Sequence, residues 1–141
     1  VRDLPRKLSV DELAELFEGR TRFVERLAKL EDPLGRAREV AAQLSDEEKR
    51  EVLDAHPAIG ATALSARSAA EQGEDEAPEL DELNRAYEAK FGFRFVVFVN
   101  RRPKSEIVPV LRERLQRTRE QELETALDEL VAIAEDRWRR S

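Results

Sequence analysis

Apolar residues along this chain recur at helical spacing, and the polar residues between them supply starts and stops. Leu13, Leu16 and Phe17 form a first stripe. Ser9 with Glu12 three residues on is a capping box at its start, and Gly19 reads as its end. Thr21 is placed to cap a second helix, with Phe23, Val24, Leu27 and Leu30 inward, and Glu31, Asp32 and Pro33 break it. A third helix is expected from about Leu34 to Gln43. Ser45 and Glu48 make another capping box and open a fourth helix, which ends near Ala55 because Pro57 disfavours helical geometry at His56.

Residues 57–67 are small and loop-like, Ser68–Gln72 starts or forms a short helix, and Gly73–Pro78 is an acidic connector. Pro78 suits the first turn of a helix carrying Leu80, Leu83, Tyr87 and Phe91, stopped by Gly92. Phe93, Phe95, Val96, Val97, Phe98 and Val99 follow as a dense apolar run, too short for an independent helix and without a second strand pattern to pair with. The expectation is a buried extended connector. Asn100–Lys104 is a polar turn. A helix then carries Ile107, Val108, Leu111 and Leu115, with Pro109 in its early part as an expected kink. Thr118 with Gln121 caps a final helix bearing Leu123, Leu127, Leu130, Ile133, Ala134 and Trp138. The predicted architecture is all-α, one domain over residues 1–141, a bundle of about seven or eight short helices with one buried extended connector.

Composition changes this picture little. The chain has 141 residues, 40% apolar and 40% charged, and the apolar residues are spaced in stripes, which favours a folded and heavily solvated helical protein over disorder. A formal net charge of -6 argues against a nucleic-acid partner. There is no cysteine, so disulfides, thiol nucleophiles and thiolate metal sites are excluded. No apolar run approaches bilayer-spanning length and no secretory leader is read, so no membrane association is expected.

His56 is the only histidine, and its side chain alone titrates near neutrality without heavy tuning. At a helix exit both ring nitrogens are expected to be reachable, although a lone histidine with a satisfied hydrogen bond is the commoner case. Glu71 can orient the imidazole and the Gln72 amide can hold a polar substrate; equally, Ser68-x-x-Glu71 is one more capping box. One histidine with scattered carboxylates is a poor metal ligand set, so no metal is expected. Arg101, Arg102 and Lys104 read as a solvated basic patch. Arg137, one turn from Ile133 and Ala134, can instead point inward, where a guanidinium needs an anionic partner.

In order along the chain, His56-Pro57, Ser68-x-x-Glu71-Gln72, Leu83-Asn84-x-x-Tyr87, Lys90-Phe91-Gly92-Phe93-x-Phe95-Val96 and Ile133-Ala134-x-x-Arg137 form a set. The set resembles the OHCU decarboxylase family (2-oxo-4-hydroxy-4-carboxy-5-ureidoimidazoline decarboxylase), and the resemblance spans nearly the whole chain. It implies an all-helical homodimer without metal or organic cofactor, which converts a small ureidoimidazoline to (S)-allantoin in urate breakdown. It also implies a cytoplasmic location in bacteria and a peroxisomal one in eukaryotes. By the resemblance, His56 is the proton donor, and substrate contacts fall on Pro57, on Ser68, Ala69, Ala70, Glu71 and Gln72, on the backbone of Phe95, Val96, Val97, Phe98 and Val99, and on Arg137. Glu71 is counted with His56 as catalytic, fixing the imidazole or holding a polar edge of the substrate. The loop between His56 and Ser68 is shorter than in many relatives. Two other readings remain at this point: the same scaffold with another ureido or oxo-acid substrate, and a helical interaction module in which His56, Glu71 and Arg137 lie far apart.

Overall fold

The computed structural model describes residues 3–57 and 79–140. Among them are seven α-helices and no strand. The helices are α1 (Val10–Leu16), α2 (Arg22–Leu27), α3 (Pro33–Ala42), α4 (Asp46–Asp54), α5 (Glu79–Phe91), α6 (Lys104–Arg114) and α7 (Arg119–Arg140). The predicted bundle is therefore helical as expected, except that α7 is long, at 22 residues. No helix among the described residues is long and apolar enough to cross a membrane.

The starts follow the capping chemistry. Both capping boxes form: Ser9 with Glu12 opens α1 and Ser45 with Glu48 opens α4. The Thr21 hydroxyl accepts from the Val24 amide at the start of α2, and Thr118 and Gln121 exchange bonds of 3.0 and 3.2 Å at the start of α7. The first stop differs from expectation. Glu18, not Gly19, takes the left-handed conformation after α1, at φ 62°. Gly19 is needed for a different reason: a Cβ there would stand 3.2 Å from the Ala55 Cβ, so glycine lets the α1–α2 turn approach the end of α4.

The second stop is as expected. Gly92 has φ 81° and its amide donates to the Glu88 carbonyl at 2.9 Å, closing α5 with a left-handed residue. Nothing lies within 4 Å of a Cβ built at Gly92. Gly92→Ala should thus cost only the backbone penalty, about 1 kcal/mol. A shift in urea midpoint much larger than that would show a contact that the geometry does not contain.

The amphipathic face of α7 is the axis of the core. Leu123, Ala126, Leu127, Leu130, Val131, Ile133 and Ala134 are buried along it. Helices α1, α3 and α4 pack on α7, α2 packs on α1, α3 and α4, and α6 packs on α5. Between α5 and α6, Phe93–Val99 runs as a largely buried connector that is neither helix nor strand. Its aromatic side chains gather on Tyr87, with ring centroids 5.8 Å from Phe93 and 5.1 Å from Phe95.

A connector outside helix or sheet must satisfy its backbone otherwise. Two arginines do so for its carbonyls: Arg102 donates to those of Phe98 and Val99 and Arg114 to that of Val96, while Arg94, within the connector, donates outward to the carbonyls of Asp54 and His56. Arg102 is therefore a structural clamp and not part of a free basic patch. The turn beyond the connector is tight: Asn100 and Arg101 both have positive φ, 49° and 65°.

Candidate active site

His56 follows the α4 C-cap residue Ala55. Its amide donates to the Leu53 carbonyl at 3.2 Å and its own carbonyl accepts from Arg94. Arg94 also bonds the Asp54 carbonyl at 3.0 Å, and its amide donates to the Asp54 carboxylate at 2.9 Å. The exposed carbonyls at the end of α4 are thus covered by a cation from the connector, where the helix dipole favours one.

The imidazole is not solvent-reachable, contrary to the sequence expectation. His56 is 4% exposed, because the connector is tied across the end of α4 by Arg94. Its Nε2 makes no hydrogen bond to any described residue. A buried polar atom without a partner costs stability, so its persistence is informative. The ring lines a cavity of about 100 Å³ together with Pro57, the Phe95–Val99 connector, the Asn100–Arg101 turn, and Ile133, Asp136, Arg137 and Arg140 of α7.

Arg137 does point inward and is 3% exposed. Its Nη1 donates to the Leu16 carbonyl at 3.1 Å and its Nη2 pairs with Glu18 at 3.0 Å. Burial first, then the Arg137 charge, pushes the His56 pKa from 6.5 down to about 3; Glu18 opposes this and Arg94 adds to it. At neutral pH the ring is therefore a neutral imidazole in a small chamber, with its Nε2 bonded to no described residue.

The connector contributes backbone donors. The amide of Phe98 reaches Glu129 at 3.4 Å, whereas those of Phe95, Val96, Val97 and Val99 bond no described residue. The Val96, Phe98 and Val99 carbonyls are held by Arg114 and Arg102, and residues 95–99 of this segment line the cavity.

The structure thus brings His56, Pro57, Phe95, Val96, Val97, Phe98, Val99 and Arg137 around one cavity. Ser68, Ala69, Ala70, Glu71 and Gln72 lie outside the described residues. An interaction module with His56 and Arg137 on separate faces does not match this geometry. No group of three or more His, Asp or Glu among the described residues is placed to hold a metal ion.

Sequence reasoning missed Glu18, Arg94 and Asp136. Arg94 carried a signal, as the one charge inside an aromatic run. Glu18 carried almost none: an acidic residue before a glycine reads as the frayed end of a helix.

Comparison with known proteins places this geometry. The sequence profile of a family described as OHCU decarboxylase matches residues 2–139. The 2-oxo-4-hydroxy-4-carboxy-5-ureidoimidazoline decarboxylase of Haloferax volcanii is 31% identical over 142 residues, covering 89% of this chain and 84% of that protein. The uric acid degradation bifunctional protein of Bacillus sp. (strain TB-90) is 34% identical over 105 residues, covering 68% of this chain. The matched part is only 21% of that longer protein. Among solved structures, an OHCU decarboxylase crystallised in the presence of (S)-allantoin superposes with a TM-score of 0.73 at 26% identity, over 89% of this chain and 94% of that one. An (S)-allantoin synthase gives 0.66 at 25% identity, over 91% of this chain and 47% of its own.

Proposed function

The chain belongs to the OHCU decarboxylase family, and from that membership we propose that it converts 2-oxo-4-hydroxy-4-carboxy-5-ureidoimidazoline to (S)-allantoin in urate breakdown, as a carboxy-lyase. The observation that carries this to particular residues is the Nε2 of a buried histidine, without a partner among the described residues, in a cavity shared with a buried arginine.

The reaction asks little covalent work of the protein. The bond to the carboxylate breaks, carbon dioxide leaves, and the electron pair forms a double bond to the neighbouring ring carbon, which bears the ureido group. The imine nitrogen of the ring takes up a proton as its electrons are displaced. The hydroxyl on the carbon that lost the carboxylate then gives up its proton and becomes the ketone, while the ureido-bearing carbon receives one. The ring is its own electron sink, so the scheme calls on no organic cofactor or metal.

His56 is the proton donor to the ureido-bearing carbon. A neutral imidazole suits this step, because it can accept the hydroxyl proton on one nitrogen and give one from the other. An anionic substrate entering a low-dielectric chamber also favours the imidazolium form, so binding raises the fraction that carries the proton. Delivery from one wall of the chamber gives one stereoisomer. Backbone amides of the connector bind ring and ureido oxygens, and Pro57 packs on the ring. Arg137 holds a polar edge of the substrate. Ser68, Ala69, Ala70, Glu71 and Gln72 complete the pocket, contacts carried over from the family, and Glu71 fixes the imidazole or holds a polar edge of the substrate. From the same source come a homodimer and, for a bacterial source, a cytoplasmic enzyme; sedimentation of the pure protein tests the first.

The test is turnover of freshly prepared OHCU, followed by circular dichroism after subtraction of spontaneous decay. The expected product is optically active (S)-allantoin. Racemic allantoin formed at the uncatalysed rate would remove the activity. Parallel assays with other small ureido and oxo acids test the substrate.

A further inference from the structure

Glu18 stands where neither helix geometry nor the core requires a carboxylate. It occupies the left-handed region at φ 62°, which costs a non-glycine residue on the order of 1 kcal/mol. A glycine is adjacent, yet the order is Glu18-Gly19, because Gly19 is consumed by the close approach to Ala55. The backbone is therefore strained at a residue whose side chain reaches the cavity arginine. That carboxylate is 3.0 Å from the Arg137 Nη2, with side-chain exposures of 13% and 3%. The Leu16 carbonyl, two residues earlier, takes the Nη1 of the same guanidinium at 3.1 Å. The end of α1 thus grips Arg137 twice, once by dipole and once by charge.

The charge matters more than the grip. A buried guanidinium without a counter-ion would seize the carboxylate of an anionic substrate, and that contact stabilises the ground state while the reaction removes the carboxylate. A guanidinium already paired with a carboxylate still donates hydrogen bonds, and these suit neutral oxygens. Arg140, on the same wall but exposed, pairs with Asp136 one turn away at 3.0 Å.

We infer that Glu18 is a positioning residue that fixes Arg137 and offsets its charge, so that the cavity favours the neutral ureido and ring oxygens of the substrate over the departing carboxylate. The inference rests on the decarboxylase reading above.

Two binding measurements and one kinetic one test it. The probes are allantoin, which is neutral, and allantoate, the carboxylate formed by opening its ring. The wild-type protein should bind allantoin at least as tightly as allantoate. Glu18→Gln keeps size and hydrogen bonding but removes the charge, and should move the ratio toward allantoate by about 10-fold or more, since the lost partner contacts the guanidinium directly. With OHCU the same variant should show a lower KM together with a kcat about 10-fold lower, a split that general loosening of the fold would not produce. Glu18→Asp, which retains the charge and tolerates the left-handed backbone better, should restore the wild-type ratio. A ratio unchanged within about twofold in folded Glu18→Gln overturns the inference. So does a tenfold preference of the wild-type protein for allantoate, or binding of neither probe at millimolar concentration, and these two outcomes need no variant to fold. Wild-type turnover of OHCU is scored separately: its absence, with the allantoin preference intact, would remove the decarboxylase reading and leave the charge pairing standing.

Discussion

His56→Asn should reduce enzymatic (S)-allantoin formation by about 10²–10⁴-fold, the usual worth of a positioned proton-transfer group. The far-ultraviolet helical signal should remain, because the ring holds no helix end: its Nε2 bonds nothing described, and the bonds at its backbone survive the change. Retained turnover would exclude His56 from the chemistry. The same variant has a second expected signature. In the folded protein burial and Arg137 hold the His56 pKa at about 3, against 6.5 for the free group. As pH falls below 6.5 the unfolded chain gains a proton here while the native state does not, so unfolding becomes easier down to about pH 3. This loss is on the order of several kcal/mol for the wild type and is missing in the variant, although buried and paired carboxylates add an acid sensitivity that both share. Urea unfolding at a series of pH values separates the two. Curves that stay parallel from pH 7 to about pH 4 would contradict the depressed pKa.

The second large effect concerns stability. Glu122 is fully buried and accepts from the Tyr87 hydroxyl at 2.7 Å, the Arg114 Nε at 2.7 Å and the Arg117 Nη1 at 3.0 Å. Arg114 itself is 5% exposed, stacks over the Phe95 ring at 4.6 Å, and its Nη2 already lacks a partner among the described residues. Glu122→Leu would strand that guanidinium, and should cost about 3–5 kcal/mol, the price of an unpaired buried charge. Tyr87→Phe should cost only about 1–2 kcal/mol, since a neutral donor is lost and the carboxylate keeps both arginines. Burial and the bond to Glu122 push the Tyr87 hydroxyl well above its ordinary pKa, so it remains a donor at any working pH. Replacing the pair together, Arg114→Met with Glu122→Leu, should recover much of the loss, because apolar groups can fill a buried ion-pair site at little cost. A Tyr87→Phe loss as large as that of Glu122→Leu in chemical denaturation would show that the charges are not what the cluster depends on. Since Arg114 also holds the Val96 carbonyl, the single variant should raise KM through a looser cavity wall.

The helices were legible because their causes are local. A capping box needs residues three apart, and an amphipathic face needs one per turn. Ser9 to Glu12, Ser45 to Glu48 and the stripe from Leu123 to Ala134 were therefore readable without knowing what they pack against. The connector was readable by exclusion, as an apolar run with no strand to pair. The inward direction of Arg137 followed from its register with Ile133 and Ala134. Gly19 shows the limit: sequence saw a glycine after a helix, whereas the reason for that glycine lies across the fold at Ala55.

By itself the sequence determined the helical class, most helix limits, and the pattern of residues shared with one enzyme family. Only the tertiary structure decided that His56 is buried rather than reachable, that its ring is neutral, and that Glu18 answers Arg137. The physical reason is range. Capping and periodicity act within a turn or two of one helix, but desolvation and charge pairing depend on what distant segments bring alongside. The carboxylate at the end of α1 and the guanidinium near the end of α7 meet only once the chain has closed around them.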